Sequence, residues 1–245
     1  MLYTGISANS FSEEVDVCIA GNRVSGPAVG VGLFDISSVD GSVEDNIVRP
    51  VERHIEGADG NWAVGIFSQD VAAATIARNF VSCSPVLLAG YGCNGILAAD
   101  SSADITGNRV SGTSHTGIAF LGTDEWNGEG LQVENNVVVV GWGTGIFGEL
   151  HGLVVDTMIT NNVVAFTEPC GGGDMAYGDG ISLISSSLAE PIMVRENVLV
   201  GNARAGVFVS NAQARVELND IHGNGVSLAW QDGAEITVGQ HGLLQ

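Results

Sequence analysis

Asp174 and Asp179 stand five residues apart in a glycine-rich run that reads Gly-Gly-Gly-Asp and then Gly-Asp-Gly. Two carboxyls held close on neighbouring stretches of chain can share acid and base duties across a glycosidic bond. A separation of about 5–5.5 Å gives retention and one of about 6.5–9.5 Å gives inversion. His115 is a third candidate acid or base. Trp142, Tyr91, Tyr177 and Trp62 supply rings, and Glu168 supplies a further carboxylate. Rings stack on the apolar face of a sugar while carboxylates accept its hydroxyl protons, so this set suits carbohydrate. A plainer reading stays open. Both aspartates sit in turn sequences where a carboxylate bonds its own backbone, and His115, His151 and His222 are isolated enough to be turn or surface residues.

A second oxygen-rich set is Asp35, Asp70 and Asp100, each five residues after a glycine that opens a Gly-[Ile/Val] pair. Asp124 and Glu149 fall within two positions of the same slot further on. Stacked aspartates repel unless solvent, splayed turns or a cation intervene, and Ca²⁺ is the cation that prefers such oxygen ligands. The alternative is a turn residue chosen at each repeat. Calcium is the only cofactor candidate. Of the four cysteines, Cys83 and Cys93 bracket nine residues and suit a disulfide, while Cys18 and Cys170 have no evident mate. The absence of CxxC or His-x₃-His spacing argues against zinc. Two matches to Gly-x-Gly-x-x-Gly, at Gly90 and Gly143, run into strands and so lack the helix that dinucleotide binding needs.

These residues are carried by a repeat. An asparagine recurs eight times, at Asn22, Asn46, Asn79, Asn108, Asn136, Asn162, Asn197 and Asn219. Three residues before each is an isoleucine or valine, and two after each is another aliphatic. A second signal, Gly-[Ile/Val]-x-small or apolar, follows every asparagine, from Gly30-Val31 to Gly206-Val207 and Gly225-Val226. Alternation places the first and third residues after the glycine on one, inward face. The glycine itself suits a bend where a positive φ is needed. A fixed period of this kind signals a stacked repeat.

Leucine-rich repeats require leucines that are missing here, and no six-residue period supports a left-handed helix. The remaining architecture is all-β: a single-stranded right-handed parallel β-helix, a solenoid of about eight rungs with stacked asparagines at one turn. The Asn-x-aliphatic turn followed by Gly-[Ile/Val] resembles the parallel β-helix repeat of pectin-lyase-like and NosD-like proteins, over roughly residues 17–228. That resemblance implies the fold. It implies no single activity, since the superfamily holds lyases, hydrolases, epimerases, tailspikes and non-catalytic surface proteins. Residues 1–245 read as one such domain, part of a longer protein.

The chain carries a formal net charge of −20, and its eight basic residues are all arginine. Nucleic acid, which needs a basic footprint, is an unfavourable partner. No apolar run is long enough to span a bilayer as a helix. Residues 1–20 lack the pattern of a secretory leader, yet a disulfide-bearing solenoid fits an extracellular or cell-surface setting. Outward-facing Phe67, Phe147, Phe208 and Val198 would suit packing under loops or against a neighbouring chain, and the oligomeric state is left open.

Loop length then locates a site. Rungs two, three and six carry long insertions after the asparagine strand, at 49–64, 82–94 and 165–179, whereas rungs four and five are short. Long loops beside short rungs make a groove floored by His115, Thr116, Trp142 and Thr144. Tyr91 walls one side, and Glu168, Asp174, Tyr177 and Asp179 the other. With no lysine, lysine-based lyase chemistry is excluded; Arg109 or Arg53 would have to act as base. The Asp-Asp and Gly-His-Gly signatures of polygalacturonase relatives are missing. The sequence therefore favours a non-catalytic module that binds polysaccharide or cell-surface glycan, or serves as a structural rod. A polysaccharide lyase or glycoside hydrolase acting over rungs four to six is one alternative, and a phage or secretion-spike fragment the other.

Overall fold

A computed structural model describes residues 4–9, 16–26, 28–34, 40–50, 53–54, 61–83, 92–122, 130–139, 141–151, 156–169, 178–185 and 190–239. Every regular element among them is a strand. Each rung makes three: one before the asparagine, a three-residue strand after it, and a longer one holding the Gly-[Ile/Val] pair. Stacked rung on rung, they form a lead sheet from Val17–Ala20 to Glu235–Val238, a short sheet from Arg23–Ser25 to Asp220–His222, and a long sheet ending at Val226–Gln231. All inter-rung pairing is parallel. Eight rungs are complete. One further strand, Thr4–Asn9, precedes the first repeat and pairs with Val29–Phe34. The sole antiparallel contact among the described residues joins Arg53–His54 to Asn61 and Trp62.

Period-two alternation decides what is sealed inside. Val31, Ile66, Ile96, Ile118, Ile146, Ile181 and Val207 are fully buried along the long sheet. Val43, Ile76, Ile105, Val133 and Ile159 line the lead sheet in the same core. The aliphatics two residues after the asparagine close the triangle from the short sheet, Val48, Val81, Val110, Val138, Val164 and Leu199 among them.

The asparagines form one continuous ladder. In rung after rung the side-chain Oδ1 accepts from both the backbone N–H and the Nδ2 of the preceding asparagine, as Asn136 does for Asn108 at 2.9 and 3.0 Å. The remaining Nδ2 hydrogen of Asn108 goes to the carbonyl of Ile76, three residues before Asn79. This pattern holds to Asn219. Ladder members from Asn46 onward are at most 1% exposed, so the amides satisfy in-line a row of backbone groups that water cannot reach. The residue before each asparagine takes a left-handed conformation in all eight rungs, glycine in two and a side-chain-bearing residue in six, with φ from 54° at Arg78 to 68° at Gly21.

The strand glycine has a different cause from the one expected. Gly30, Gly65, Gly95, Gly145 and Gly206 do not adopt positive φ. A Cβ on each would instead strike the inward aliphatic of the next rung's short strand: Val48, Val81, Val110, Val164 and Ile221 in turn. Close approach, and not turn geometry, demands glycine here. It also explains why the two halves of the repeat motif occur together: the aliphatic after one asparagine is housed by the glycine of the rung before.

The eighth rung departs from the expected register. Val226 pairs with Ala205, and Leu228 with Val207. The Gly225-Val226 pair therefore lies two residues out of phase, leaving Val226 exposed and Leu228 packed against the core. The corner is one residue shorter in this rung, so its glycine falls in the turn. Of the aromatics expected to face outward, Phe67 and Phe208 are nearly covered, and Phe208 lies beneath the Arg204 guanidinium, 4.2 Å from the ring centroid.

Candidate functional site at the corner between the short and long sheets

The residue just before each strand glycine stacks at this corner. Read along the solenoid the row is Val29, Val64, Asn94, Thr116, Thr144, Asp179 and Ala205. All are buried. The row changes from apolar to amide, hydroxyl and carboxylate and back, so its polar atoms find partners individually, unlike those of the asparagine ladder.

His115 stands beside Thr116 on rung four. Its Nδ1 lies 3.2 Å from Asn94 Oδ1 and 3.0 Å from Thr116 Oγ1. An amide oxygen only accepts, so the Asn94 contact is made with the proton on Nδ1. Burial pushes the imidazole pKa down, which keeps the ring neutral at pH 7. The backbone beneath it is fixed by rung three, because Cys93 O accepts from the N–H of both Ser114 and His115. Cys83 and Cys93 are joined in a disulfide with a Cα–Cα distance of 6.1 Å. Cys18 is exposed and free.

Rung five crosses directly over this histidine. The N–H of Thr144 donates to His115 O at 2.9 Å, and Gly143, at φ 99°, leaves no room for a Cβ against that same carbonyl. Trp142, half-buried, donates from its indole nitrogen to Glu168 Oε2 at 2.9 Å. The backbone of Glu168 in turn accepts from Gly143 at 2.8 Å. His115, Thr116, Trp142, Thr144 and Glu168 thus occupy consecutive rungs of one corner.

Asp179 is fully buried, and both of its oxygens are taken by Arg204: Nε donates to Oδ1 at 2.7 Å, and Nη2 donates to Oδ2. Burial raises the carboxyl pKa, and the arginine opposes that rise. The arrangement anchors an arginine at the corner; it does not present an acid to solvent. Sequence reasoning missed Arg204. The available signal was an arginine two residues before the Gly206 strand, one rung on from an aspartate that precedes Gly180. Also missed was a second, shorter ladder: Asn202 Oδ1 accepts from Thr167, and Asn224 Oδ1 from Asn202. Gly201-Asn202 and Gly223-Asn224, each four and five residues after a ladder asparagine, were its trace.

Asp174, Tyr91 and Tyr177 lie outside the described residues, so the pairing of Asp174 with Asp179 and the parts of the groove walls made by Tyr91, Asp174 and Tyr177 do too. Trp62 belongs to the strand Asn61–Gln69. Asp35 is also outside. Asp70 and Asp100 occupy left-handed turn positions, at φ 54° and 47°, as do Gly130, Asp156, Asn211 and Asp232. Short polar side chains and glycine tolerate that conformation best. The turn of rung five is therefore made by Asp156 and not by Glu149, which lies within the strand Thr144–Leu150. Among the described residues no three His, Cys, Asp or Glu side chains come together as a metal site. No helix among them is long and apolar enough to cross a membrane.

A family model described as a right-handed β-helix region matches residues 61–241, and the chain belongs to that family. No curated protein and no solved structure matches it.

Proposed function

We propose that this chain is a non-catalytic β-helix module of the cell exterior that binds carbohydrate at the corner over rungs four to six. The reading is carried by Trp142, whose indole is held by Glu168 beside the rung that bears His115. A ring fixed against a carboxylate offers a stacking face and a hydroxyl acceptor together. Two further observations support it. Asp179 is committed to Arg204, and the Cys83–Cys93 disulfide suits an oxidising compartment. The test is a glycan array with the parent protein and Trp142→Ala. Binding of defined glycans that the variant loses supports the module. Turnover of a polysaccharide, seen as new reducing ends or unsaturated products and abolished by Asp174→Asn, would replace it with the hydrolase or lyase reading.

A further inference from the structure

The outer face of the short sheet is apolar over three rungs. In register along the stack its two outward rows read Arg109, Val137, Val163, Val198, Asp220 and Ser111, Val139, Ala165, Val200, His222. Val137, Val139 and Val163 are 37%, 38% and 36% exposed, and Phe166 at the edge is 60% exposed, its ring against Gly201. A cationic rung lies two positions before Val163 and an anionic rung two positions after it.

That spacing has a consequence for symmetry. We propose that this face is the interface of a homodimer in which two copies pack face to face, solenoid axes antiparallel, about a two-fold axis along the strands through rung six. The operation sets Val163 against Val163 of the second copy, Val137 against Val198, and Val139 against Val200. Arg109 then meets Asp220 at both ends, as an isologous contact requires. The turn rows agree: Leu218, 45% exposed, falls opposite Gly107, where there is space for it, and Glu196 falls opposite Asn135. The other two-fold, along the solenoid axis, keeps rung against rung and exchanges the two rows, so Arg109 would face Ser111 and Asp220 would face His222, and the cationic and anionic rungs would not meet. With rungs about 4.8 Å apart the five rungs span roughly 19 Å, a patch smaller than a standard stable interface. The dimer is accordingly weak and belongs to high local concentration.

Sedimentation velocity over a dilution series at physiological ionic strength tests this. There, repulsion between two chains of net charge −20 is screened beyond about 8 Å while facing charges still interact. A concentration-dependent dimer is expected. Arg109→Asp and Asp220→Arg should each weaken it by roughly tenfold or more, and the double exchange should restore it. Val163→Asp, which faces two carboxylates at the centre, should abolish it. All three positions lie on the outer face, and melting curves verify folding; should Val163→Asp fail to fold, the charge exchange decides alone. A monomer at every concentration, or a dimer that the double exchange does not rescue, overturns the proposal.

Discussion

Two corners of the same solenoid solve one problem differently. Both must satisfy backbone and side-chain polar groups sealed from water. At the asparagine corner every rung supplies the same side chain, so each donor finds its acceptor in the neighbouring rung and only the end members differ. At the corner between the short and long sheets the stacked side chains change from rung to rung. There Asn94 is bonded by His115 and Asp179 by Arg204, whereas Thr144 Oγ1 and Thr113 Oγ1 are buried with no hydrogen-bond partner. Uniform stacking gives rigidity without information. A varied stack stores less stability and can hold a site. The comparison can be broken by removing side chains from each corner in turn.

The largest effect is expected inside the ladder. Asn108→Ala strands the backbone N–H of Asn79, one of its Nδ2 hydrogens and the carbonyl of Ile76. At about 1–3 kcal/mol for each of the three buried groups left unbonded, the loss should be about 3–9 kcal/mol. Asn22→Ala, at the half-exposed first member, removes two donated bonds and should cost only about 1 kcal/mol. Urea midpoints measure both, and equal losses would show that the ladder is not a cooperative stack.

Next comes the ion pair. Arg204→Met leaves the buried Asp179 carboxylate without its cation, at about 2–3 kcal/mol after allowance for the partial exposure of the arginine. The pH dependence identifies the cause. A carboxyl whose folded pKa is raised contributes most below its unfolded value, about 4, and loses that contribution as pH rises through the folded one. Burial raises Asp179 and Arg204 opposes it, so the variant's deficit should be greatest at neutral pH and shrink toward acid. A deficit that does not shrink as the pH falls from about 7.5 toward about 4, by denaturant melts, would place the loss in packing over Phe208.

The disulfide should contribute about as much. Cys83 and Cys93 close a loop with a sequence separation of 10, for which restricted unfolded-chain freedom gives about 2–3 kcal/mol. Since Cys93 carries the backbone bonds to Ser114 and His115, Cys83→Ala/Cys93→Ala should also speed hydrogen exchange at those two amides more than at Asn108. Uniform exchange would separate the staple from the site.

The same contrast explains what was legible beforehand. The ladder and core could be read because one residue type repeats at one place, and periodicity exposes whatever is uniform. The corner could be read only as a location, from loop lengths around His115, Trp142 and Glu168. Arg204 left only a single-copy trace, because its partner lies 25 residues away and no other rung repeats the pair. The phase of Gly225-Val226 misled because a glycine in the turn resembles one in the strand; only the position of Leu228 over Val207 distinguishes them. The Asp70 and Asp100 slot reads equally as a ligand row and as a turn row, because aspartate is both a calcium ligand and a good left-handed turn residue, and composition alone does not separate these roles.

The smallest effect has the opposite sign. Thr144 is fully buried at the varied corner, and its hydroxyl has no partner. Its backbone already bonds His115 O, and that contact survives any side chain. Thr144→Val keeps the shape and removes the uncompensated polar atom, so it should stabilise the fold by about 1 kcal/mol. Thr116→Val, one rung away, removes a hydroxyl that does have a partner in His115 and should destabilise by about 1 kcal/mol. Two identical chemical changes at stacked positions would then shift the urea midpoint in opposite directions. If both destabilise, the Thr144 hydroxyl is satisfied in solution and the two corners differ less than their hydrogen bonding indicates.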